Sequence, residues 1–198
     1  TLYAASILRR EAVDLEFFDP TFSSSALEII PIIEGTRPDI VVIYDDGFSF
    51  LSKMCLDNMR QAALSFIRLA VDACAKVIIC TADAMENYPL YLDAGADYCI
   101  LGEGEVTLQD LIRAMARPET VEPGNINGIA WESPEGIRVN TPRKLLSHPD
   151  ILPFPAWDLL DIEKYRSSWK RKNDIFAMNI VTTRGCPYKC KFCSVWRF

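Results

Sequence analysis

Asp39-Ile-Val-Val-Ile-Tyr44 and, one helix-length further on, Lys76-Val-Ile-Ile-Cys80 are short apolar runs without polar alternation. A strand that is apolar at every position is buried on both faces, the condition of a parallel strand covered by helices above and below. Outward from these runs the pattern alternates. On the amino-terminal side, Arg37-Pro38 punctuates a helical stretch at 24–35, preceded by Val13-Asp-Leu-Glu-Phe-Phe18, read as a strand, and by a helix over 2–11. On the other side come a long helix over 53–75 by its 3.6-residue period, a short helix at 86–93, the strand Tyr98-Cys-Ile-Leu101 and a helix over 105–116. Helices and strands in strict alternation specify an α/β fold with a doubly wound, Rossmann-like parallel sheet. The helix at Thr1 to Arg10 reads as already under way, so the first strand of such a sheet is expected to have been lost ahead of it.

Ligands of open parallel sheets lie beyond the carboxyl ends of the strands. The loops there are Asp19 to Ser23, Asp45 to Ser49, Thr81 to Ala84 and Gly102 to Glu105. Gly102 and Gly104 permit close approach of backbone to a flat ligand, and the following helix offers free N–H groups. The plainer reading, in which the glycines cap a strand and the aspartates start turns, stands beside it. Gly102-x-Gly104 has no third glycine at nucleotide-fingerprint spacing, and a P-loop is absent.

From 119 to 150 the chain carries Pro118, Pro123, Gly124, Gly128, Pro134, Gly136 and Pro142 in and around it. Ile129-Ala-Trp131 and Ile137-Arg-Val139 flank Ser133-Pro-Glu-Gly136 as a β-hairpin, read as a linker unit. Asp150 to Asp161 is expected to pack Phe154, Trp157 and Leu160 between domains, an aromatic substrate box being the alternative. Ala177-Met-Asn-Ile-Val-Thr182 reads as the last strand, the first of a barrel. The division expected is an α/β domain at 1–118, a hairpin linker at 119–170 and the start of a second domain at 171–198.

That last strand delivers Thr183-Arg-Gly-Cys-Pro-Tyr-Lys-Cys-Lys-Phe-Cys193, in which Cys186, Cys190 and Cys193 stand in C-x3-C-x2-C spacing. Three thiolates hold three irons of a cubane cluster and leave the fourth free for a small molecule, the requirement of a catalytic cluster rather than a four-cysteine electron carrier. A structural zinc site wants four ligands, and the only histidine, His148, lies far upstream. The seven cysteines, spread over 198 residues without a secretory leader, do not read as a disulfide framework. The expected compartment is therefore reducing and cytoplasmic. Cys55, Cys74, Cys80 and Cys99 sit on apolar segments and read as small hydrophobes.

With 49% apolar and 24% charged residues the chain can bury a real core, and no run of 18 apolar residues is present to span a membrane. The net charge of −6 argues against a nucleic-acid surface. The one basic cluster, Lys170-Arg-Lys172 with Arg166 and Lys189, reads as a solvated face.

Cys186, Cys190, Phe192 and Cys193 match the C-x3-C-x-aromatic-C motif of radical SAM enzymes, which this part of the chain resembles. The resemblance implies a [4Fe-4S] cluster on the three thiolates, S-adenosylmethionine chelating the fourth iron, generation of a 5′-deoxyadenosyl radical, and a place for Phe192 beside the cluster or the adenine. With Leu101-Gly-Glu-Gly-Glu105 and Leu152-Pro-Phe-Pro-Ala-Trp-Asp-Leu-Leu-Asp161 ahead of the motif, the whole chain looks like the cobalamin-binding subclass of that family. The subclass implies cobalamin on the carboxyl edge of the sheet, against Tyr44, Asp45, Ser49, Thr81, Ala82, Asp83, Gly102, Glu103, Gly104 and Glu105. A D-x-H-x-x-G cobalt-ligand loop is not found, and His148 reads as a surface residue, so no protein imidazole on cobalt is expected.

The function so implied is methyl transfer to a small-molecule substrate, with a rearrangement or oxidative cyclisation as the alternative and an electron donor such as flavodoxin or ferredoxin as partner. Most of the barrel is expected to be missing, so these 198 residues alone are expected to be inactive. A different class, a non-catalytic sensor with a metal-binding tail, would use Asp45 or Asp46 as phosphoacceptor and want a lysine where the strand ends in Leu101-Gly102.

Overall fold

The structure is a computed structural model and describes residues 1–45, 55–117, 122–178, 180–183, 188, 190 and 191. Its centre is a five-stranded sheet in the order β1 (Ile40–Tyr44), β2 (Lys76–Cys80), β3 (Tyr98–Ile100), β4 (Ile129–Ser133) and β5 (Gly136–Val139). The first three strands are parallel, with Val42 opposite Ile78 and Ile79 opposite Cys99. β4 then pairs antiparallel with β3, and β5 antiparallel with β4.

Successive side chains of a strand point to opposite faces, and β2 shows what that does here. Ile78 and Cys80 enter one apolar layer with α1 (Leu2–Leu8) and α5 (Glu105–Ala116), through Ala4, Ile7, Leu8, Leu108, Leu111 and Ile112. Val77 and Ile79 enter the opposite layer with α3 (Leu56–Asp72) and α4 (Ala84–Asp93), through Ala63, Leu64, Ile67, Tyr91 and Leu92. Val77, Ile78 and Ile79 are all fully buried, worth about 1.5–3 kcal/mol each against leaving them in water. Helices on both faces make the sheet doubly wound, as the apolar runs require.

Two elements keep their expected bounds, β2 and α5; the others differ in informative ways. The first helix ends at Leu8. The stretch 24–35 divides into a 3-10 turn at Ala26–Ile29 and α2 (Ile30–Thr36), because Pro31 lacks an N–H and suits only a first turn. α4 starts at Ala84, two residues early, and kinks at Asn87 ahead of Pro89.

Val13–Phe18 is not a strand. The segment lines the same cleft as β1 but has no backbone ladder to hold it, and a segment becomes a strand only at about 4.8 Å from a neighbour. The described residues of Ala177–Thr182 likewise carry no strand, since none of the described residues offers them a ladder.

The hairpin forms where expected but is part of the sheet: Trp131 lies opposite Tyr98 and Ile129 opposite Ile100. Asn140 secures it, accepting from the Trp131 indole N–H at 3.1 Å and donating to the carbonyls of Pro123 and Ile126 at 2.7 Å each.

The connector does not bury Phe154, which is 88% exposed. Its carbonyl accepts the Ser6 hydroxyl at 2.5 Å, which turns the backbone inward and the ring outward, and Leu152 and Ala156 are buried instead. Arg9 forks onto Asp158 and Arg10 donates to the Ile151 carbonyl, so the connector is strapped along α1. α6 (Ile162–Asn173) follows, capped by the Asp161 carboxylate on the Lys164 N–H and carrying Lys170 to Lys172 in its last turn.

A cleft at the carboxyl edge of the sheet

The described residues that directly follow β1, β2 and β3 meet at one edge. Tyr44, Asp45, Thr81, Ala82 and Asp83 line a single cleft of about 1380 Å3, together with Arg60 and Tyr91. Gly102 to Glu105 stand beside it and touch it through Gly104. A Cβ at Gly104 would come within 2.6 Å of Cys80 Sγ and 2.7 Å of Tyr44 Oη. Only glycine lets the β3–α5 loop approach that closely. Gly104→Ala is expected to cost about 1–3 kcal/mol, read as a lower thermal midpoint, because both neighbours must move. Gly102 has φ +102, where side chains are strained, and the space over its Cα is open.

The polar groups at this edge divide into those already engaged and those with capacity left. Thr81 Oγ1 accepts the Ala84 N–H at 3.0 Å and caps α4. Asp83 is the acceptor of a saturated network: Arg60 Nε and Nη2 at 2.7 Å each, Asn87 Nδ2 at 2.8 Å and the Tyr91 hydroxyl at 2.6 Å. The Arg60 guanidinium holds the Asp83 carboxyl below its ordinary value, and burial with that carboxylate pushes the Tyr91 phenol well up. Asp83 thus fixes the loop rather than offering itself to a ligand. Ala82 sits between these two anchored residues, half-buried.

Asp45 extends β1 by one bond, its N–H donating to the Cys80 carbonyl at 2.9 Å. Tyr44 accepts the Thr1 hydroxyl on its carbonyl at 3.0 Å. Glu103 and Glu105 are both buried. Glu103 Oε2 accepts the Leu146 N–H at 2.8 Å, while its Oε1 is buried without a hydrogen-bond partner. Glu105 opens α5, where its charge meets the helix dipole.

Cys80, read from the sequence as a plain hydrophobe, lies at this edge. Burial, with the nearby Glu105 charge, pushes its thiol up to about 12, against the pull of a Tyr44 hydrogen bond. Burial does the same to Cys99. Since the thiolate is the reactive form, maleimide labelling of the native chain is expected to mark exposed Cys55 and Cys74 and to spare Cys80 and Cys99 until denaturant is added.

Ser49, Cys186, Phe192 and Cys193 lie outside the described residues. Cys190 is exposed, and the segment leading to it is tied to the sheet domain by the Tyr3 hydroxyl, which donates to the Val181 carbonyl at 2.9 Å. His148 is exposed, as a surface residue should be. The sequence reading missed Arg60 and Tyr91. Asp83, Asn87 and Tyr91 fall at i, i+4 and i+8 from a helix start, a spacing that would have shown one face.

The edge and the cysteine motif fit the cofactors that the motif implies. Open backbone at Gly102 gives a flat ring system an approach, the unused oxygen of Glu103 is a spare acceptor, and thiolates are the donors that iron–sulfur clusters take.

No protein-family model matches the chain. It is 32% identical over 97% of its length to an uncharacterized methyltransferase of Pyrococcus horikoshii, of which it spans 39%. It is 33% identical over 98% of its length to the hopanoid C-3 methylase of Methylococcus capsulatus, of which it spans 35%. The chain therefore covers well under half of these curated relatives. Its fold is shared with the cobalamin-dependent S-adenosylmethionine radical enzyme OxsB, solved with aqua-cobalamin and S-adenosylmethionine bound: TM-score 0.69 at 23% identity, over 98% of this chain and 25% of that one. The α/β sheet is followed in sequence by three cysteines at C-x3-C-x2-C spacing. Over these residues the chain is similar in sequence to curated methyltransferases and shares its fold with a cobalamin-dependent S-adenosylmethionine radical enzyme.

Proposed function

We propose that this chain forms the corrinoid-bearing sheet and the cluster loop of a cobalamin-dependent radical SAM methyltransferase acting on a small-molecule substrate. The observation that carries the reading is the carboxyl edge, where Tyr44, Asp45, Thr81 and Ala82 line one cleft and Gly102 to Glu105 close against it through Gly104. Cys186, Cys190 and Cys193 would hold a [4Fe-4S] cluster, with S-adenosylmethionine at the open iron and Phe192 beside it. The cluster and cobalamin, when bound, supply one-electron cleavage of S-adenosylmethionine and methyl carriage.

The residues of the chain do the positioning. Asp83, clamped by Arg60, Asn87 and Tyr91, holds the Thr81–Ala84 loop in place, and Gly102 keeps the neighbouring loop bare. Glu103 ties that loop to the connector at Leu146, and Arg143 adds a second tie to Thr107, at 2.7 Å, and to Asp110. Tyr3 ties the segment that precedes the cysteine motif to α1 through the Val181 carbonyl. Among the described residues no histidine stands at the edge, so cobalt is expected to lack a protein imidazole; an imidazole-ligated spectrum of bound corrinoid would refute this.

The test is an absorption spectrum with iron, zinc and cobalt analysis after anaerobic reconstitution with iron, sulfide and hydroxocobalamin, followed by desalting. Iron–sulfide absorbance with retained corrinoid is the expected result. Zinc alone would return the cysteines to a structural role, and iron without corrinoid would remove cobalamin from the proposal.

A further inference from the structure

The ion pair of Arg60, on α3, with Asp83 is buried unequally. Arg60 Nε and Nη2 donate to the two Asp83 carboxylate oxygens at 2.7 Å each, a fork that fixes the plane of the guanidinium. Asn87 Nδ2 and the Tyr91 hydroxyl, both on α4, donate to the same carboxylate at 2.8 and 2.6 Å, so that plane is set by a residue that is itself anchored. The Asp83 side chain is 6% exposed, whereas that of Arg60 is 28% exposed and lines the cleft. Arg60 Nη1 makes no hydrogen bond to the described residues. The outward half of the pair is therefore the cation, and it keeps donors in hand.

The charges around the cleft give that cation its meaning. The other charged residues that line it are mostly carboxylates, Asp19 and Asp45 among them. Among the described lining residues the only cations are Arg37 and Arg60. Arg37 stands ahead of β1, at the amino end of the sheet, while Arg60 is tied to the loop after β2, at the carboxyl edge. An anionic group brought to that edge thus has a single guanidinium to meet. Cobalamin carries the matching pattern, a cationic cobalt-centred ring and a nucleotide tail with an anionic phosphodiester.

We infer that Arg60 is an anion-recognition residue, whose Nη1, with the guanidinium plane set by Asp83, donates to the phosphodiester of the corrinoid's nucleotide tail; this deepens the corrinoid reading of the cleft and rests on it. Asp83 is then a positioning residue, acting on the ligand through Arg60. Because the Asp83 carboxylate offsets the net charge of the guanidinium, the contact works at hydrogen-bond range, and its weight comes from direction and from pre-organisation. A lysine, a point charge on a flexible stem, would not reproduce it. The consequence is selectivity: a corrinoid with its complete tail is held more tightly than the same ring without phosphate, ribose and base.

The experiment is an equilibrium titration of the 198-residue chain with hydroxocobalamin and, separately, with diaquacobinamide, which has the ring but no phosphate, ribose or base; binding is read from the corrinoid absorbance retained with the protein. Arg60→Gln is expected to weaken hydroxocobalamin binding by roughly tenfold to a hundredfold, the range of one hydrogen bond to a charged group, and to leave cobinamide binding unchanged. Arg60→Lys is expected to recover only part of the loss. Should Arg60→Gln not fold, Asp83→Asn, which loosens the aim and keeps the arginine, is expected to show a smaller loss confined to hydroxocobalamin. Equal losses for the two corrinoids would overturn the inference, because they would show that Arg60 acts by holding the loop. So would undiminished hydroxocobalamin binding by Arg60→Gln, or an unaltered chain that binds the two corrinoids equally well; both results would leave the corrinoid reading in place. An unaltered chain that binds neither corrinoid would overturn that reading, and the role of Arg60 with it.

Discussion

Asp83→Ala is expected to lower the free energy of unfolding by about 3 kcal/mol, the scale of losing one partner of a buried pair. Asp83 is 8% exposed and accepts four hydrogen bonds. Without it the Arg60 guanidinium and the Tyr91 hydroxyl, the latter in a fully buried residue, keep their desolvation cost and lose their acceptor. Asp158 provides the control, because Arg9 grips it with the same fork, at 2.9 and 2.7 Å, but the two side chains are 41% and 67% exposed. Asp158→Ala is expected to leave the urea midpoint close to that of the unaltered chain. Equal effects of the two substitutions in urea melts would show that burial is not what gives the Asp83 network its weight. The pH dependence has a definite sign. The folded-state value of Asp83 is depressed, so its contribution is fully present above the unfolded carboxyl value of about 3.9 and is lost as pH falls through the folded value. Melts of the native chain and Asp83→Ala should differ at pH 6 and converge in acid.

What the sequence revealed and what it hid follow one physical line. Lys76-Val-Ile-Ile-Cys80 is legible because burial on both faces demands an unbroken apolar run, and the α5 helix because its period is local. Val13–Phe18 has the alternation of a strand, but a strand is defined by its neighbour, and no residue near it in sequence says where that neighbour is. The hairpin was legible as a hairpin for the local reason that Pro134-Glu135 turns it; its pairing with β3, through Trp131 and Tyr98, is non-local and was not. Phe154 looked like an anchor by its size, whereas a single backbone bond from Ser6 decides that it faces water. At the edge, the family resemblance implied Thr81 and Asp83 as ligand contacts. The structure engages both in holding the loop, through a capping bond and through an arginine that arrives from α3. Pairwise chemistry of that kind is set by three-dimensional neighbours and leaves only the i, i+4, i+8 trace in the chain.

The cysteine motif makes the other large prediction. Cys190→Ala is expected to abolish iron retention after anaerobic reconstitution, because a cube held at three corners by thiolates loses one of three attachments and has no fourth protein ligand to fall back on. The side chain is exposed, so its removal creates no cavity, and circular dichroism and the thermal midpoint of the α/β sheet should match those of the unaltered chain. Cys55→Ala, also exposed but outside the motif, should retain iron as the parent does. Cys80→Ala should cost stability instead, since that thiol is buried against Tyr44 and Gly104, and should leave the iron content unchanged. The pattern separates a ligand from a packing residue within one residue type. Iron retained by Cys190→Ala would refute the ligand set, and loss of iron in all three variants would assign the metal to non-specific thiol binding. Because cysteine thiols must lose their protons before they bind metal, loading of the parent chain should also fall as the reconstitution buffer is made more acidic, while the sheet stays folded.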